Sequence, residues 1–81
     1  MKMSTEKLTR REIEVMTLTA KGKTRGEISQ LLSLSEKTVK DYIVRACKKL
    51  RAVNKTHAVA LALTSGLISP FGQRNPRGMT N

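Results

Sequence analysis

The sequence predicts an all-α domain, a bundle of four short helices, and three observations indicate this fold class. Apolar residues recur every three or four positions along four segments, and no segment shows the period of two that is typical of a β-strand. Residues that cap helices precede these segments, and glycines follow two of them. The chain has 81 residues with one Tyr, one Phe and no Trp, so we expect a single small core built from aliphatic side chains.

Two capping boxes mark the starts of the first two predicted helices. Thr9 is followed three residues later by Glu12, and Thr24 is followed in the same way by Glu27. In this motif the threonine oxygen accepts a backbone N–H of the first turn, while the glutamate accepts the N–H of the threonine. We therefore predict helices over residues 9–21 and 25–32.

Ser35 and Asn54 are the predicted caps of two further helices. Glu36 follows Ser35 and suits the positive end of the helix dipole, and Gly66 is suited to end the last helix. The third helix is predicted over 36–51 and the fourth over 55–65. The domain is predicted to comprise residues 1–68; residues 69–81 have little to bury, and we expect a disordered tail there.

The second and third helices are separated only by residues 33–35. A connection this short forces the two helices to cross steeply, which is helix-turn-helix geometry. In that motif the second helix projects its polar face outward, where it fits the major groove of DNA. The third helix has such a polar face, formed by Lys37, Lys40, Asp41, Val44, Arg45 and Lys48.

The charge of the chain favours the same partner. The net charge is +10, and no acidic residue follows Asp41, whereas seven Lys or Arg residues do. Positive potential concentrated in one part of a molecule indicates a polyanion, and we expect double-stranded DNA. A solvated helix face is the alternative interpretation of Lys37 and Lys40 taken alone.

The segment from Leu8 to Ile68 resembles the DNA-binding domain of the LuxR/FixJ-type (GerE-like) bacterial transcription regulators. The resemblance rests on the order and spacing of several motifs, namely LTRREIEV, GKTRGEI, LSEKTVK, KKL, NKTHAVALA and GLI. It implies a four-helix helix-turn-helix domain that binds two-fold-related DNA sites and dimerises partly through its fourth helix.

The resemblance also implies roles for individual residues. The positions that contact bases in the family correspond here to Lys40, Asp41 and Val44. The expected phosphate contacts, including two neighbours on the polar face, are Thr24, Arg25, Lys37, Thr38, Arg45, Lys48 and Lys49. The alternative role for Lys48 and Lys49 is to stabilise the C-terminal end of the helix dipole. The expected dimer contacts are Ala58, Val59, Ala62 and Leu63, although these could instead pack inward against the first helix.

Four positions depart from the family pattern, and one of them is Tyr42, which stands where His is common. Val44 stands where relatives often have Lys or Arg, and it could offer apolar contact to a thymine methyl group. Asp41 could accept a hydrogen bond from a cytosine amino group. Ser33 occupies the turn, where helix-turn-helix motifs generally prefer Gly.

Other classes of function are not supported. Cys47 is the only cysteine and cannot form an intrachain disulfide, and His57 has no second ligand at metal-binding spacing. No catalytic set can be assembled, so we expect no enzyme activity, no cofactor, no metal and no small-molecule ligand. No apolar run is long enough to span a membrane, and we expect a cytoplasmic, nucleoid-associated protein.

The sequence predicts a transcription regulator that acts as a dimer on DNA, with RNA polymerase as a further possible partner. Only seven residues precede the resemblance, and together with the Met1 start this favours a regulator without a sensor domain. An anti-activator that pairs with a full-length relative is one alternative. The other is the promoter-recognition domain of a sigma factor, although the fourth helix goes beyond what that domain requires.

Overall fold

The computed structural model describes residues 7–69, which form four α-helices and no strand. Their bounds are α1 Arg10–Ala20, α2 Arg25–Leu32, α3 Glu36–Leu50 and α4 Lys55–Thr64. The predicted all-α class is confirmed, and each helix end lies within one residue of its predicted position. The predicted tail lies outside the described residues from residue 70 onward.

Both predicted capping boxes are present at the starts of α1 and α2. The Thr9 hydroxyl accepts the Glu12 N–H at 3.1 Å, and the Glu12 carboxylate accepts the Thr9 N–H at 2.8 Å. Thr24 and Glu27 repeat this geometry with distances of 3.1 and 2.8 Å. A cap of this kind stabilises a helix by about 1 kcal/mol, so the two boxes fix where these short helices begin.

The starts of α3 and α4 are fixed by single caps. Ser35 accepts the Thr38 N–H at 3.0 Å, and Asn54 accepts the His57 N–H at 2.8 Å. The His57 ring adds a second contact, because its Nδ1 accepts the Val53 N–H at 3.0 Å. The lone histidine of the chain therefore has a structural partner in the α3–α4 connection.

Helix α3 lies at the centre of the domain and packs against the other three helices. Its Val39 packs with Val15 of α1 and Ile28 of α2 in one cluster of buried side chains. A second cluster forms between α1, α3 and α4 and comprises Leu8, Met16, Ala46, Ala58, Ala62 and Ile68. Because α3 contributes to both clusters, one of its sides is held rigidly while the opposite side faces outward.

The turn between α2 and α3 requires a left-handed residue, and Ser33 supplies it. Ser33 has φ 58° and ψ 45°, and the Leu34 N–H closes the end of α2 on the Ser29 carbonyl at 2.9 Å. A residue with a Cβ atom tolerates this conformation less well than glycine does. Ser33 therefore adopts the left-handed conformation that glycine would adopt in this turn, and it does so at an energetic cost.

A buried ion pair connects α1 to the C-terminal part of α3. Glu12 is only 2% exposed, and its carboxylate accepts a hydrogen bond from the Lys49 ammonium at 2.8 Å. Burial alone would raise the pKa of Glu12, but hydrogen bonds from Lys49 and from the Thr9 backbone, together with the Lys49 charge, bring it below its usual value. The Lys49 ammonium also donates to the Lys7 carbonyl at 3.2 Å, which holds the segment before α1 in place.

Candidate nucleic-acid interface

The outward side of α3 is a continuous stripe of polar and basic residues. Lys37, Val44 and Lys48 are exposed, and Asp41 between them is partly exposed. These residues recur at helical spacing on the side opposite Val39 and Ala46, the two completely buried residues of α3. The structure therefore places on one surface the residues that the sequence assigned to it.

Lys40 and Val44 lie on the flank of this stripe that faces α2 and α4. They form one wall of a groove of about 400 Å³, which also contains Thr24 and Arg25 at the start of α2. Val44 is 42% exposed, so the groove has an apolar surface in addition to the cations Lys40 and Arg25. The groove therefore brings two predicted base contacts next to two predicted phosphate contacts at the start of α2.

Three of the predicted contact cations already have carboxylate partners, and the pairs of two of them, Lys37 and Arg25, lie at the surface. Lys37 contacts Asp41 one turn later at 3.4 Å, and Arg25 lies 3.8 Å from Glu36 across the helix-turn-helix. Both pairs are largely exposed, and exposed pairs contribute about 0–1 kcal/mol each, so a phosphate can compete for either cation. The pairs orient these side chains without removing them from the surface.

The remaining cations of the stripe are available for binding. No carboxylate within residues 7–69 forms an ion pair with Lys40, Arg45 or Lys48. The Arg45 guanidinium lies over the Tyr42 ring, 5.2 Å from its centroid, which orients the group while leaving its N–H donors free. All three side chains are exposed.

The two predicted threonine contacts lie at helix starts. The Thr24 oxygen accepts the Glu27 N–H, and the Thr38 oxygen accepts a hydrogen bond from the Ser35 hydroxyl at 2.9 Å. The Thr38 oxygen acts as an acceptor there, so its own proton is available to a phosphate oxygen, whereas the Thr24 hydroxyl also hydrogen-bonds the Glu27 carboxylate. The hydrogen bond from the Thr24 backbone also holds the pKa of Glu27 below its usual value, which keeps that carboxylate charged in its cap.

Lys49 differs from the other predicted phosphate contacts. Its side chain is 19% exposed and its ammonium is held between Glu12 and the Lys7 carbonyl. Breaking a buried pair of this kind is strongly destabilising, because it leaves a charge without its partner. The structure therefore corrects this assignment, and Lys49 is a structural residue that joins α3 to α1.

The predicted dimer contacts on α4 also need correction. Ala58 and Ala62 are completely buried in the core of the domain, so they cannot contact a second subunit. Val59 is half-buried against the same core, and Leu63 remains at the surface with 38% exposure. The side of α4 opposite the buried alanines is exposed and consists of Thr56, Ala60, Leu63, Thr64 and, just beyond the helix, Leu67.

Two basic residues were missed at the level of the sequence. Lys23 in the α1–α2 turn and Lys55 at the start of α4 both line the groove beside Lys40 and Val44. Neither lies on the polar face of α3: Lys23 belongs to the α1–α2 turn and Lys55 is the first residue of α4. Only the packing of the four helices brings them together, so no spacing in the sequence could have identified them.

Other chemistry finds no support in the part of the chain that the structure describes. Residues 7–69 contain no cluster of three or more His, Cys, Asp or Glu side chains that could hold a metal ion. Burial raises the pKa of the Cys47 thiol despite the opposing charge of Lys55, which disfavours a reactive thiolate. No helix among these residues is long and apolar enough to cross a membrane.

The four helices, the steep α2–α3 turn and the outward basic face of α3 define a helix-turn-helix DNA-binding domain. Residues 6–62 match the family described as bacterial regulatory proteins, luxR family. This chain belongs to that family, and it is a DNA-binding domain of a transcription regulator, not an enzyme. The match also decides against the sigma-factor alternative.

Individual relatives agree with this assignment. The HTH-type quorum sensing-dependent transcriptional regulator RpaR of Rhodopseudomonas palustris is 52% identical over 62 residues, which cover 76% of this chain and 26% of RpaR. The solved structure of the transcription factor GerE superposes with a TM-score of 0.74 at 33% identity, covering 78% of this chain and 94% of GerE. A Vibrio cholerae VqmA–ligand–DNA complex superposes with a TM-score of 0.71 at 36% identity, covering 82% of this chain and 29% of the VqmA chain. The chain thus spans about a quarter of the length of the curated relatives it matches.

Proposed function

We propose that this domain binds duplex DNA with α3 in the major groove and regulates transcription at specific sites. The observation that supports this most directly is the outward stripe of α3, where Lys40, Asp41 and Val44 are accessible in the middle of a rigidly held helix. Lys40 can donate to guanine, Asp41 can accept from cytosine, and Val44 can contact a thymine methyl group. The flanking phosphate contacts in this proposal are Thr24, Arg25, Lys37, Thr38, Arg45 and Lys48.

We further propose that two copies bind a two-fold site through α4. This helix has apolar residues on all sides, yet only the side with Ala58 and Ala62 is covered within the domain. An all-round apolar helix is normally buried on all sides, which favours a partner on the outer side. Ala60, Leu63 and Leu67 would form the centre of that contact, and VqmA, which shares this fold, has been solved as a dimer.

The proposal includes DNA binding by this chain without a sensor domain attached. The support is that residues 7–69 contain two clusters of buried side chains, so this segment has a hydrophobic core of its own. The site of action would be the nucleoid, and RNA polymerase at the regulated promoter remains a predicted partner.

The experiment is a titration of fluorescent duplex DNA with the 81-residue protein at several salt concentrations. If each subunit neutralises about four to six phosphates, the slope of log K against log salt should be roughly −4 to −5 per subunit. The net charge of +10 and the free cations of α3 are the reason for this expectation. A slope near zero would contradict the electrostatic part of the proposal.

The same titration distinguishes a regulator from an anti-activator. An anti-activator would bind DNA weakly by itself and would reduce the DNA binding of a full-length relative when the two are mixed. A regulator would select particular fragments from a genomic library and would not need a second protein for this. Absence of any selected fragment, together with inhibition of a relative, would overturn the proposed function.

A further inference from the structure

Tyr42 is the one aromatic residue of α3, and the proposed function gives it no contact with DNA. Its ring is half-buried and packs against the cluster of Val15, Ile28 and Val39. On α3 one turn later, the exposed Arg45 guanidinium lies over this ring, 5.2 Å from its centroid. Tyr42 therefore connects the hydrophobic core of the domain to a cation at its surface.

Tyr42 and Arg45 lie on the flank of α3 that faces away from the groove containing Lys40. Each residue of an α-helix turns the side-chain direction by about 100°, so Arg45 points about 140° away from Lys40 but only about 60° away from Tyr42. Thr38, another proposed phosphate contact, lies two turns before Arg45 and within about 20° of its direction. A helix in the major groove has one DNA strand along each flank, so Arg45 and Lys40 face different strands.

The charge of Arg45 is available, but its side chain is long. No carboxylate within residues 7–69 forms an ion pair with Arg45. A freely moving arginine loses its rotamer freedom when it binds a phosphate, and this loss weakens the contact. An aromatic face restricts the guanidinium before binding and leaves the N–H donors at its edge free. Because the core holds the Tyr42 ring, the restricted position of Arg45 is fixed relative to the rest of α3.

We propose that Tyr42 is a positioning residue for DNA binding, whose ring holds the Arg45 guanidinium ready to contact the DNA strand on this flank of α3. This inference rests on the proposed function and adds to it a residue that acts through another side chain. Trp, Tyr and Phe are the side chains whose faces attract a cation. The tyrosine at a position where His is common therefore gives this chain a way of holding Arg45 that a histidine would not supply.

The test is a double-substitution cycle, measured as affinity for a duplex selected from a random pool. Tyr42→Leu keeps an apolar side chain against the core and removes the aromatic face, so it should weaken binding about twofold to fivefold. Arg45→Ala should weaken binding more than this, and Tyr42→Leu should have no further effect in the Arg45→Ala protein. Tyr42→Phe keeps the aromatic face and should bind like the unchanged protein.

Two controls separate positioning from a general loss of structure. Leu18→Ala removes packing from the same core cluster on the α1 side, so it should lower the thermal midpoint but leave the affinity of the folded protein unchanged. Tyr42→Leu combined with Lys40→Ala should give the sum of the two separate losses, because residues two apart on a helix do not face each other.

Each contrary result has a separate meaning. An equal loss from Tyr42→Leu with and without Arg45 overturns this inference, because Tyr42 then acts independently of Arg45. A loss with Tyr42→Phe as large as with Tyr42→Leu also overturns it, because the role then belongs to the hydroxyl group. These results leave the proposed function standing, whereas an unchanged protein that selects no duplex overturns the proposed function and this inference together.

Discussion

At the scale of single residues, Ser33 shows how this domain accepts strain to make its turn. Its φ of 58° costs a residue with a Cβ atom more than it costs glycine. We expect Ser33→Gly to raise the free energy of unfolding by about 0.5–1 kcal/mol, because the turn geometry is kept and the strain is removed. Denaturant unfolding followed by circular dichroism measures this change.

Ser65 provides the control for that experiment, because it ends α4 with an ordinary φ of −87°. Ser65→Gly should lower the free energy of unfolding by about 0.5–1 kcal/mol, since glycine increases the disorder of the unfolded chain and the hydrogen bond from the Ser65 hydroxyl to the Ala62 carbonyl at 3.3 Å is lost. Equal effects of the two substitutions would mean that the left-handed conformation of Ser33 does not limit stability.

At the scale of helices, the Glu12–Lys49 pair determines how α1 meets α3. Glu12→Gln should lower the free energy of unfolding by on the order of 2 kcal/mol, because a buried ammonium loses its charged acceptor. The exposed pair between Arg11 and Glu14 is the matched control, and Glu14→Gln should change stability by less than about 0.5 kcal/mol.

The same pair has a predicted pH dependence. The pKa of Glu12 is lowered in the folded protein, so the unfolded state takes up the proton first as pH falls. The stability that the carboxylate contributes is complete above its ordinary value of 4.5 and is lost as pH falls through the lowered pKa. The difference between the unchanged protein and Glu12→Gln should therefore be constant near neutral pH and shrink in acid. A difference that grows in acid would contradict this.

The proposed dimer contact through α4 can be tested by placing a charge on α4, with the same substitution on α2 as the control. Leu63→Glu should abolish cooperative binding to paired half-sites, because it places a charge in the proposed α4 contact. Leu31→Glu makes the same chemical change at a leucine of α2 that is 59% exposed, and it should preserve cooperative binding. Sedimentation on a paired-site duplex gives the stoichiometry. Two subunits per duplex with both variants would rule out the α4 contact.

At the scale of the whole molecule, the sequence could predict interactions between residues that are close together in the chain. It could not predict interactions between residues that are far apart in the chain. Helix starts were predictable because a capping box such as Thr9–Glu12 lies within four residues. The partner of Lys49 was not, because Glu12 is 37 residues away and only packing brings them together. The inward direction of Ala58 and Ala62 was equally hidden, since α4 is apolar on all sides and its spacing favours neither direction.

The outward face of α3 is proposed to read the sequence of DNA, and a comparison of Lys40→Ala with Lys48→Ala tests this proposal. Both lysines are exposed, and neither has a carboxylate partner within residues 7–69. The affinities should be measured on the best duplex selected from a random pool and on random DNA. Lys40→Ala should cost about 1–3 kcal/mol on the selected site and much less on random DNA, whereas Lys48→Ala should weaken both about equally. If the two variants lose the same affinity on both duplexes, Lys40 contacts only phosphate and the claim is wrong.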